Sequence, residues 1–223
     1  MTAIDSAAPS PTLYRVSVLA AGLIRMWRAW RIVVPVIAIN AVLQALLLLP
    51  NVLPYLTLPF ILVALLSLIV LVLSFTLVAT AMLRATTGRV TWGDMTAGLG
   101  RRFLLVLAWA AGLLVVVLIG VSLYVVPGLI VIALTPYLLL AVIDSKRNPI
   151  AVNFRTIGAR WGRWFVTVVI MGVLCFILWF LSGLDGFFVT GAPAALIGWL
   201  VIGFVASWFT CAWALVYRSV NPR

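Results

Sequence analysis

Acid–base, nucleophilic and metal chemistry have few side chains to draw on in this sequence. It contains no histidine, and its acids are Asp5, Asp94, Asp144 and Asp185. Without histidine there is no Ser-His-Asp triad, no His-bearing metal site and no usual general base. No two of the acids are close in sequence, so paired-carboxylate chemistry would need the fold to bring two of them together. We therefore predict that the chain is not an enzyme.

The remaining reactive side chains have structural roles in our interpretation. Asp144 stands beside Lys146 and Arg147, which favours an ion pair at a membrane surface. Cys175 and Cys211 lie in apolar stretches, where cysteine is usually a small packing residue. No second ligand type occurs at a metal-binding spacing, and no glycine-rich phosphate loop follows a strand. The sequence therefore predicts neither a metal nor a cofactor.

Two polar side chains inside an apolar stretch have a spacing that matters. Asn40 and Gln44 are four residues apart and so share one face of a helix. In lipid such a pair usually faces another helix and forms interhelical hydrogen bonds with it. A patch that lines a solute path is the functional alternative. Pro136, also inside an apolar stretch, is expected to interrupt its helix and release backbone carbonyls.

The elements that carry these residues follow from composition and charge. The chain is 66% hydrophobic and 9% charged, whereas a soluble domain is roughly 25% charged. Residues 32–83, 103–143 and 164–217 contain Asp185 as their sole charge, and each stretch is long enough for two membrane crossings. The fold class is therefore an all-α integral membrane protein, with one domain over residues 1–223. Its six predicted spans are approximately 32–50, 55–83, 103–126, 128–143, 164–182 and 193–217.

The basic residues predict the orientation. All fifteen Lys and Arg fall within residues 15–31, 84–102, 146–163 and 218–223, the four places that six spans leave on one side. The positive-inside rule puts that side, with both termini, in the cytoplasm of a cell whose inner membrane the chain spans. No cleavable signal peptide is readable, so we expect the N-terminus to be retained. The net charge of +11 flanks apolar spans, which disfavours nucleic acid as a partner.

A short basic segment with helical apolar spacing precedes each pair of spans. We predict interfacial amphipathic helices at about 13–31, 91–102 and 149–163, so that the fold consists of three hairpins, each preceded by such a helix. In the third, Arg155 and Arg163 lie opposite the aromatic side, and copies two and three share a sixty-residue register. Helix ends with snorkelling arginines are the simpler alternative. The candidates for contact with anionic lipid are Arg25, Arg28, Arg31, Arg101, Arg102, Arg155 and Arg163.

One part of the chain resembles a known group of proteins. The residues that carry the resemblance are Pro127, Gly128, Pro136, Asp144, Ala151, Arg155, Trp161, Gly162 and Trp164. With them, the stretch from Tyr124 to Gly172 resembles the YciC-like bacterial membrane proteins and the membrane domain fused to some glycerophosphodiester phosphodiesterases. The chain departs from that pattern at Thr156, where serine is common, and in lacking an acid beside Ala151. The resemblance implies an all-helical membrane domain without catalytic residues, because the phosphodiesterase activity belongs to a separate soluble domain.

Two functions are compatible with these features. The first is a non-catalytic inner-membrane protein that organises anionic lipid or a partner protein at the cytoplasmic leaflet through its basic helices. The alternative is a small transporter or permease for a neutral or amphiphilic solute, using Asn40, Gln44 and the prolines. A stripe of small residues at Gly203, Ser207 and Cys211 permits close helix packing, either within one chain or in a homo-oligomer.

Overall fold

The described residues form helices and connecting turns throughout. A computed structural model describes residues 14–47, 57–85, 92–185 and 191–222. Asp5 lies outside these ranges, and so does the side chain of Arg101. Within the ranges there are nine helices. They are α1 (Tyr14–Arg28), α2 (Trp30–Leu47), α3 (Leu58–Ala85), α4 (Trp92–Leu123), α5 (Val125–Leu134), α6 (Leu138–Ile143), α7 (Pro149–Ala159), α8 (Trp161–Asp185) and α9 (Ala192–Val220).

Six stretches of helix are long and apolar enough to cross a membrane. They are Trp30–Leu47, Leu58–Arg84, Arg102–Leu123, Val125–Ile143, Trp161–Leu178 and Ala192–Val220. The fourth stretch consists of α5 and α6, which meet at a break around Pro136. The prediction of an all-helical membrane protein with six candidate spans is thus confirmed.

The last helix, α9, organises the packing. It lies against α1, α2 and α3 along much of its length, whereas α8 touches its neighbours less. The stripe of small residues faces α2 of the same chain: a Cβ added to Gly203 would lie 2.8 Å from the Cγ2 atom of Ile37. Ser207 and Cys211 of the stripe are both buried. The packing interpretation of this stripe therefore holds within one chain.

The buried side chains gather at one end of the bundle. The fully buried large residues include Leu83 near the end of α3, Leu140 in α6 and Tyr217 near the end of α9. In contrast, the apolar residues of α5 and α8 are mostly exposed, as expected of helices that face lipid acyl chains. The core is thus formed by α1, α2, α3, α6 and α9, with α4, α5 and α8 around it.

The three basic segments differ from one another in the structure. The first forms α1, which a turn at Ala29 separates from α2. The third forms α7, which begins at Pro149 as predicted, with Asn148 as its N-cap, but ends at Ala159 and not near residue 163. Residues 92–102 do not form a separate interfacial helix but continue into the following span as the single helix α4.

Candidate functional site

The break between α5 and α6 is closed by a side chain from α7. Proline lacks an N–H group and its ring displaces the preceding turn, so Pro136 leaves backbone groups without helical partners. Asn153 is the hydrogen-bond partner of two such groups. Its Nδ2 donates to the carbonyl of Leu134 at 2.7 Å, and its Oδ1 accepts from the N–H of Tyr137 at 3.0 Å. Asn153 is 1% exposed. The released carbonyl of Leu134 is therefore used by the protein itself.

A second side chain, from α8, bonds the same break. The indole Nε1 of Trp164 donates to the carbonyl of Ala133 at 2.8 Å. Trp164 lies at the start of α8, just after the turn at Arg160 that separates it from α7. The two helices together satisfy two consecutive carbonyls that the break exposes. These bonds hold α7 and the start of α8 beside the break within the fourth span.

The polar side of α7 is tied to the end of α9. The Nη2 of Arg155 donates to the Oδ1 of Asn221, and the Nδ2 of Asn221 donates to the Oγ1 of Thr156 at 2.9 Å. Arg155 remains exposed to its surroundings, but one nitrogen of its guanidinium group is engaged. On the other side of α7, Ile150 and Phe154 are half exposed. The helix therefore has its polar side against the end of α9, and its half-exposed apolar side lines a cavity beside α4.

Asp144 is the centre of a charged cluster where α6 ends. Its Oδ1 lies 2.7 Å from the Nη2 of Arg218, and its Oδ2 lies 3.2 Å from the Nζ of Lys146. The hydroxyl of Tyr217 donates to the same Oδ2 at 3.1 Å. The predicted ion pair of Asp144 with Lys146 is thus confirmed. Sequence reasoning missed Arg218 and Tyr217, which are more than seventy residues further along the chain.

A small cavity adjoins this cluster, between α3, α4, α6 and α9. Its volume is about 80 Å³. It is lined by Thr76, Thr80, Leu83, Arg84, Arg102, Val106, Ile143, Asp144 and Arg218. We call the end of the bundle that holds Arg84, Arg102, Asp144, Lys146 and Arg218 the basic end. The Nη1 of Arg102 also donates to the carbonyl of Ile143 at 3.0 Å, which links α4 to α6.

Arg218 has hydrogen-bonding capacity that the described residues do not use. Its side chain is 9% exposed. Nη2 pairs with Asp144, but the buried Nε and Nη1 atoms have no hydrogen-bond partner among the described residues. Leaving a buried donor unsatisfied costs roughly 1–3 kcal/mol, and more for a charged group. The described residues therefore satisfy the Arg218 guanidinium only in part.

The other predicted basic candidates have varied environments. Arg25 is half buried, and its Nη1 has no hydrogen-bond partner within the described part of the chain. Arg28 and Arg31 are exposed, and the guanidinium of Arg31 lies 5.8 Å from the ring centroid of Trp30. Arg163 is half buried near the start of α8. The structure does not gather all of the predicted bases into one site, but it brings Arg102 together with Arg84 and Arg218.

The intramembrane polar pair joins α2 to α3. The hydroxyl of Ser67 donates to the Oε1 of Gln44 at 2.7 Å, and the Nε2 of Gln44 donates to the Ser67 carbonyl at 3.1 Å. The hydroxyl of Ser74 donates to the Oδ1 of Asn40 at 3.3 Å. Both amide side chains are buried. These are the interhelical hydrogen bonds expected from a packing role.

Two further cavities are largely apolar. One of about 220 Å³ lies between α2, α3 and α9, and Asn40 is among its lining residues. The other, of about 500 Å³, lies between α4, the α5–α6 pair and α7, and Phe154 and Asn153 form part of its wall. Neither combines two titratable side chains, since no Asp, Lys or Arg lines them. Of these three cavities, the one at the basic end is therefore the one lined by charged side chains.

Comparison of the chain with known protein families, with curated proteins and with solved structures finds no match. The class that the described helices define is a multi-pass helical membrane protein. The resemblance of residues 124–172 to the YciC-like proteins stays a prediction.

Proposed function

We propose that this chain is a non-catalytic inner-membrane protein that holds anionic lipid at the cytoplasmic leaflet. The observation that carries the proposal is the meeting of basic side chains from separate helices at one end. Arg84 lies near the end of α3, Arg102 begins the apolar part of α4, and Arg218 lies near the end of α9, all around one cavity. Each Lys or Arg near an anionic membrane surface contributes about 1 kcal/mol of attraction.

The chemistry of the cluster supports binding rather than catalysis. Asp144 is the acid of the basic end, and its carboxylate already accepts from Arg218, Lys146 and Tyr217. The carboxylate is thus engaged in contacts within the protein itself. With no histidine in the chain, no other usual base stands beside it.

The test is the lipid preference of the purified protein. We would reconstitute the chain in nanodiscs of mixed phosphatidylglycerol and phosphatidylcholine and measure the lipid retained on extraction by native mass spectrometry. Replacing the exposed pair Arg28 and Arg160 with glutamine removes two charges from the proposed membrane surface. The preference for phosphatidylglycerol should fall by up to about 2 kcal/mol at low salt, and the difference should shrink as salt screens the charges.

The matched control replaces the same two arginines with lysine. This change keeps both charges, so the preference should remain close to that of the wild type. A wild-type protein that retains both lipids in the proportion of the surrounding bilayer would overturn the proposal. An equal loss of preference in the glutamine and lysine variants would also contradict it, because the effect would then not be one of charge.

A permeation function for a neutral solute is the second candidate, and the cavity of about 220 Å³ beside Asn40 favours it. Replacing Asn40 and Gln44 with leucine separates the lipid-binding function from the permeation function. If the pair only packs, the variant keeps its lipid preference and changes little in stability, because each such bond contributes about 0.6 kcal/mol. If proteoliposomes with the wild-type protein swell in glycerol and those with the double variant do not, the result supports the permeation function.

A further inference from the structure

We propose that the cavity of about 500 Å³ beside α4 binds an acyl chain of one phospholipid from the cytoplasmic leaflet, with the lipid head group at the basic end. The inference deepens the proposed lipid function and rests on its claim that the protein holds a lipid, because it names where the acyl chain of that lipid lies. Such a chain is elongated and apolar, and it enters from one leaflet. The cavity matches each of these properties.

The cavity lies where α4 and α5 separate from each other. At the Tyr124 end the two helices touch through their backbones, since a Cβ on Gly120 would lie 2.8 Å from the nitrogen of Gly128. About two turns earlier in α4, Gly112 lines the cavity, and an added Cβ there would meet no atom within 4 Å. Helix α7 borders the same cavity through Phe154. The separation of the helices leaves room for a guest between them.

The length and depth of the cavity correspond to one leaflet. Its lining residues on α4 recur at helical spacing from Leu105 to Val116, so they form one continuous strip along the helix. At 1.5 Å per residue this strip is about 16 Å long, roughly half of a hydrocarbon core of about 30 Å. It begins just after Arg102 at the basic end and stops well before Leu123 at the other end of the span. An acyl chain that starts at the basic end would therefore extend along the strip to about the bilayer midplane.

The polar side chains of the cavity wall are mostly engaged within the protein. The hydroxyl of Thr135 donates to the carbonyl of Val131 at 2.7 Å, and the amide of Asn153 is bonded to the break between α5 and α6. The indole N–H of Trp109 is the other polar group among the lining side chains. An ion or a sugar in such a cavity would leave most of its hydrogen bonds unmade, whereas a hydrocarbon chain has none to make. The wall therefore favours an apolar occupant.

The surroundings of the cavity allow a lipid to enter and to be selected by charge. Leu105 and Phe154 are each about half exposed, so the cavity is open along its side to the bilayer. At the basic end, Arg102 lies three residues before Leu105, and Arg147 lies three residues before Ile150 of the α7 wall. Both arginines are exposed. The phosphate of a lipid whose chain occupies the cavity would thus lie near two cations, which favours an anionic head group.

The experiment uses the full-length protein in dodecyl maltoside with one equivalent of phosphatidylglycerol that carries a photoreactive diazirine in one acyl chain. Peptide mass spectrometry maps the cross-linked residues, and native mass spectrometry counts the retained lipids and the protein copies. We expect one retained lipid per protein, with its chain cross-linked to residues 105–116 of α4 and to Phe154 of α7. Phosphatidylcholine with the same chains should be retained at least about fivefold less, because each cation near the head group contributes about 1 kcal/mol of attraction for an anionic lipid.

Two variants fill the cavity, and a third is the matched control. Gly112→Leu and Ala108→Phe keep every charge and place apolar side chains where the acyl chain would lie. Each should weaken retention of the lipid at least about fivefold, because the cavity becomes overpacked. Gly172→Leu makes the same change in α8, at an exposed position outside this cavity where an added Cβ also meets no atom within 4 Å. This control should retain the lipid as the wild type does. Thermal unfolding without added lipid identifies any variant with a defective fold.

Two results would overturn the acyl-chain site itself. The first is retention of the lipid at the wild-type level by both Gly112→Leu and Ala108→Phe, or cross-links that fall on the exposed side of α8 as often as on α4. The second is a bound second copy of the protein that Gly112→Leu displaces, because the cavity would then hold a helix of that copy and not a lipid.

Two further results distinguish this site from the proposed function. Equal retention of phosphatidylglycerol and phosphatidylcholine, with cross-links in the cavity, would support the acyl-chain site and overturn the preference for anionic lipid. A preference for phosphatidylglycerol in nanodiscs that both filled variants keep, together with cross-links outside the cavity, would overturn the acyl-chain site and leave the proposed function standing.

Discussion

At the scale of single residues, Asn153 is the side chain on which the junction of α5, α6 and α7 depends. It bonds the carbonyl of Leu134 and the N–H of Tyr137 inside the protein. Asn153→Ala would leave both groups unsatisfied, at roughly 1–3 kcal/mol each. We expect the variant to lose about 2–6 kcal/mol of unfolding free energy, measured by denaturant titration in mixed micelles.

A matched control is available on the same helix. Asn148→Ala removes the exposed N-cap of α7 and should cost about 1 kcal/mol. If the two alanine variants lost the same stability, the buried junction would not be the stronger constraint, and the role assigned to Asn153 would be wrong.

The residues of the candidate site were partly predictable. Asn40 and Gln44 were recognised from their spacing on one face, and Asp144 from its neighbour Lys146, because these signals are local. Asn153 and Arg218 carried no such signal. Their roles depend on a break and a carboxylate that the fold brings to them from distant positions in the chain.

At the scale of elements, the pair α4 and α5 turns back at Tyr124 through close backbone contact. A Cβ on Gly120 would lie 2.8 Å from the backbone nitrogen of Gly128. Gly120→Ala should therefore push the helices apart and cost about 1–3 kcal/mol. Gly112→Ala, in the same helix with no atom within 4 Å of the added Cβ, should be neutral or stabilising by up to about 1 kcal/mol.

Thermal unfolding of both glycine variants in the same detergent provides the measurement. Equal stability of the two would contradict the close approach of α4 and α5. A loss at Gly112 alone would contradict it more strongly, because that position has open space in the structure.

The six candidate spans were predictable because length and apolar composition are properties of each segment by itself. The helix boundaries within the basic segments were less predictable. Residues 92–102 merge with the span that follows, whereas the segment at 149–163 breaks at Arg160. The indole bond from Trp164 to the Ala133 carbonyl acts across this turn, and a tertiary contact of that kind leaves no pattern in the local sequence.

For the molecule as a whole, the proposed lipid function requires the basic end to lie on the cytoplasmic side. The apolar part of α4 runs for 22 residues from Arg102 to Leu123. At 1.5 Å per residue it spans about 33 Å, close to the thickness of the hydrocarbon core. Tyr124 is therefore separated from the basic end by about one membrane. The charge pattern that predicts the orientation was fully visible in the sequence, since it depends on residue positions and not on contacts.

The most direct measurement is the accessibility of single cysteines placed at the two ends. In a background without Cys175 and Cys211, Tyr124→Cys and Ser145→Cys would be tested with a membrane-impermeant thiol reagent on intact cells. Both positions are exposed, and Tyr124 is 78% exposed. If the basic end is cytoplasmic, Tyr124→Cys should react in intact cells, whereas Ser145→Cys should react after the membrane is permeabilised. Labelling of Ser145→Cys from outside, with Tyr124→Cys protected, would put the basic end on the wrong side and contradict the proposed function.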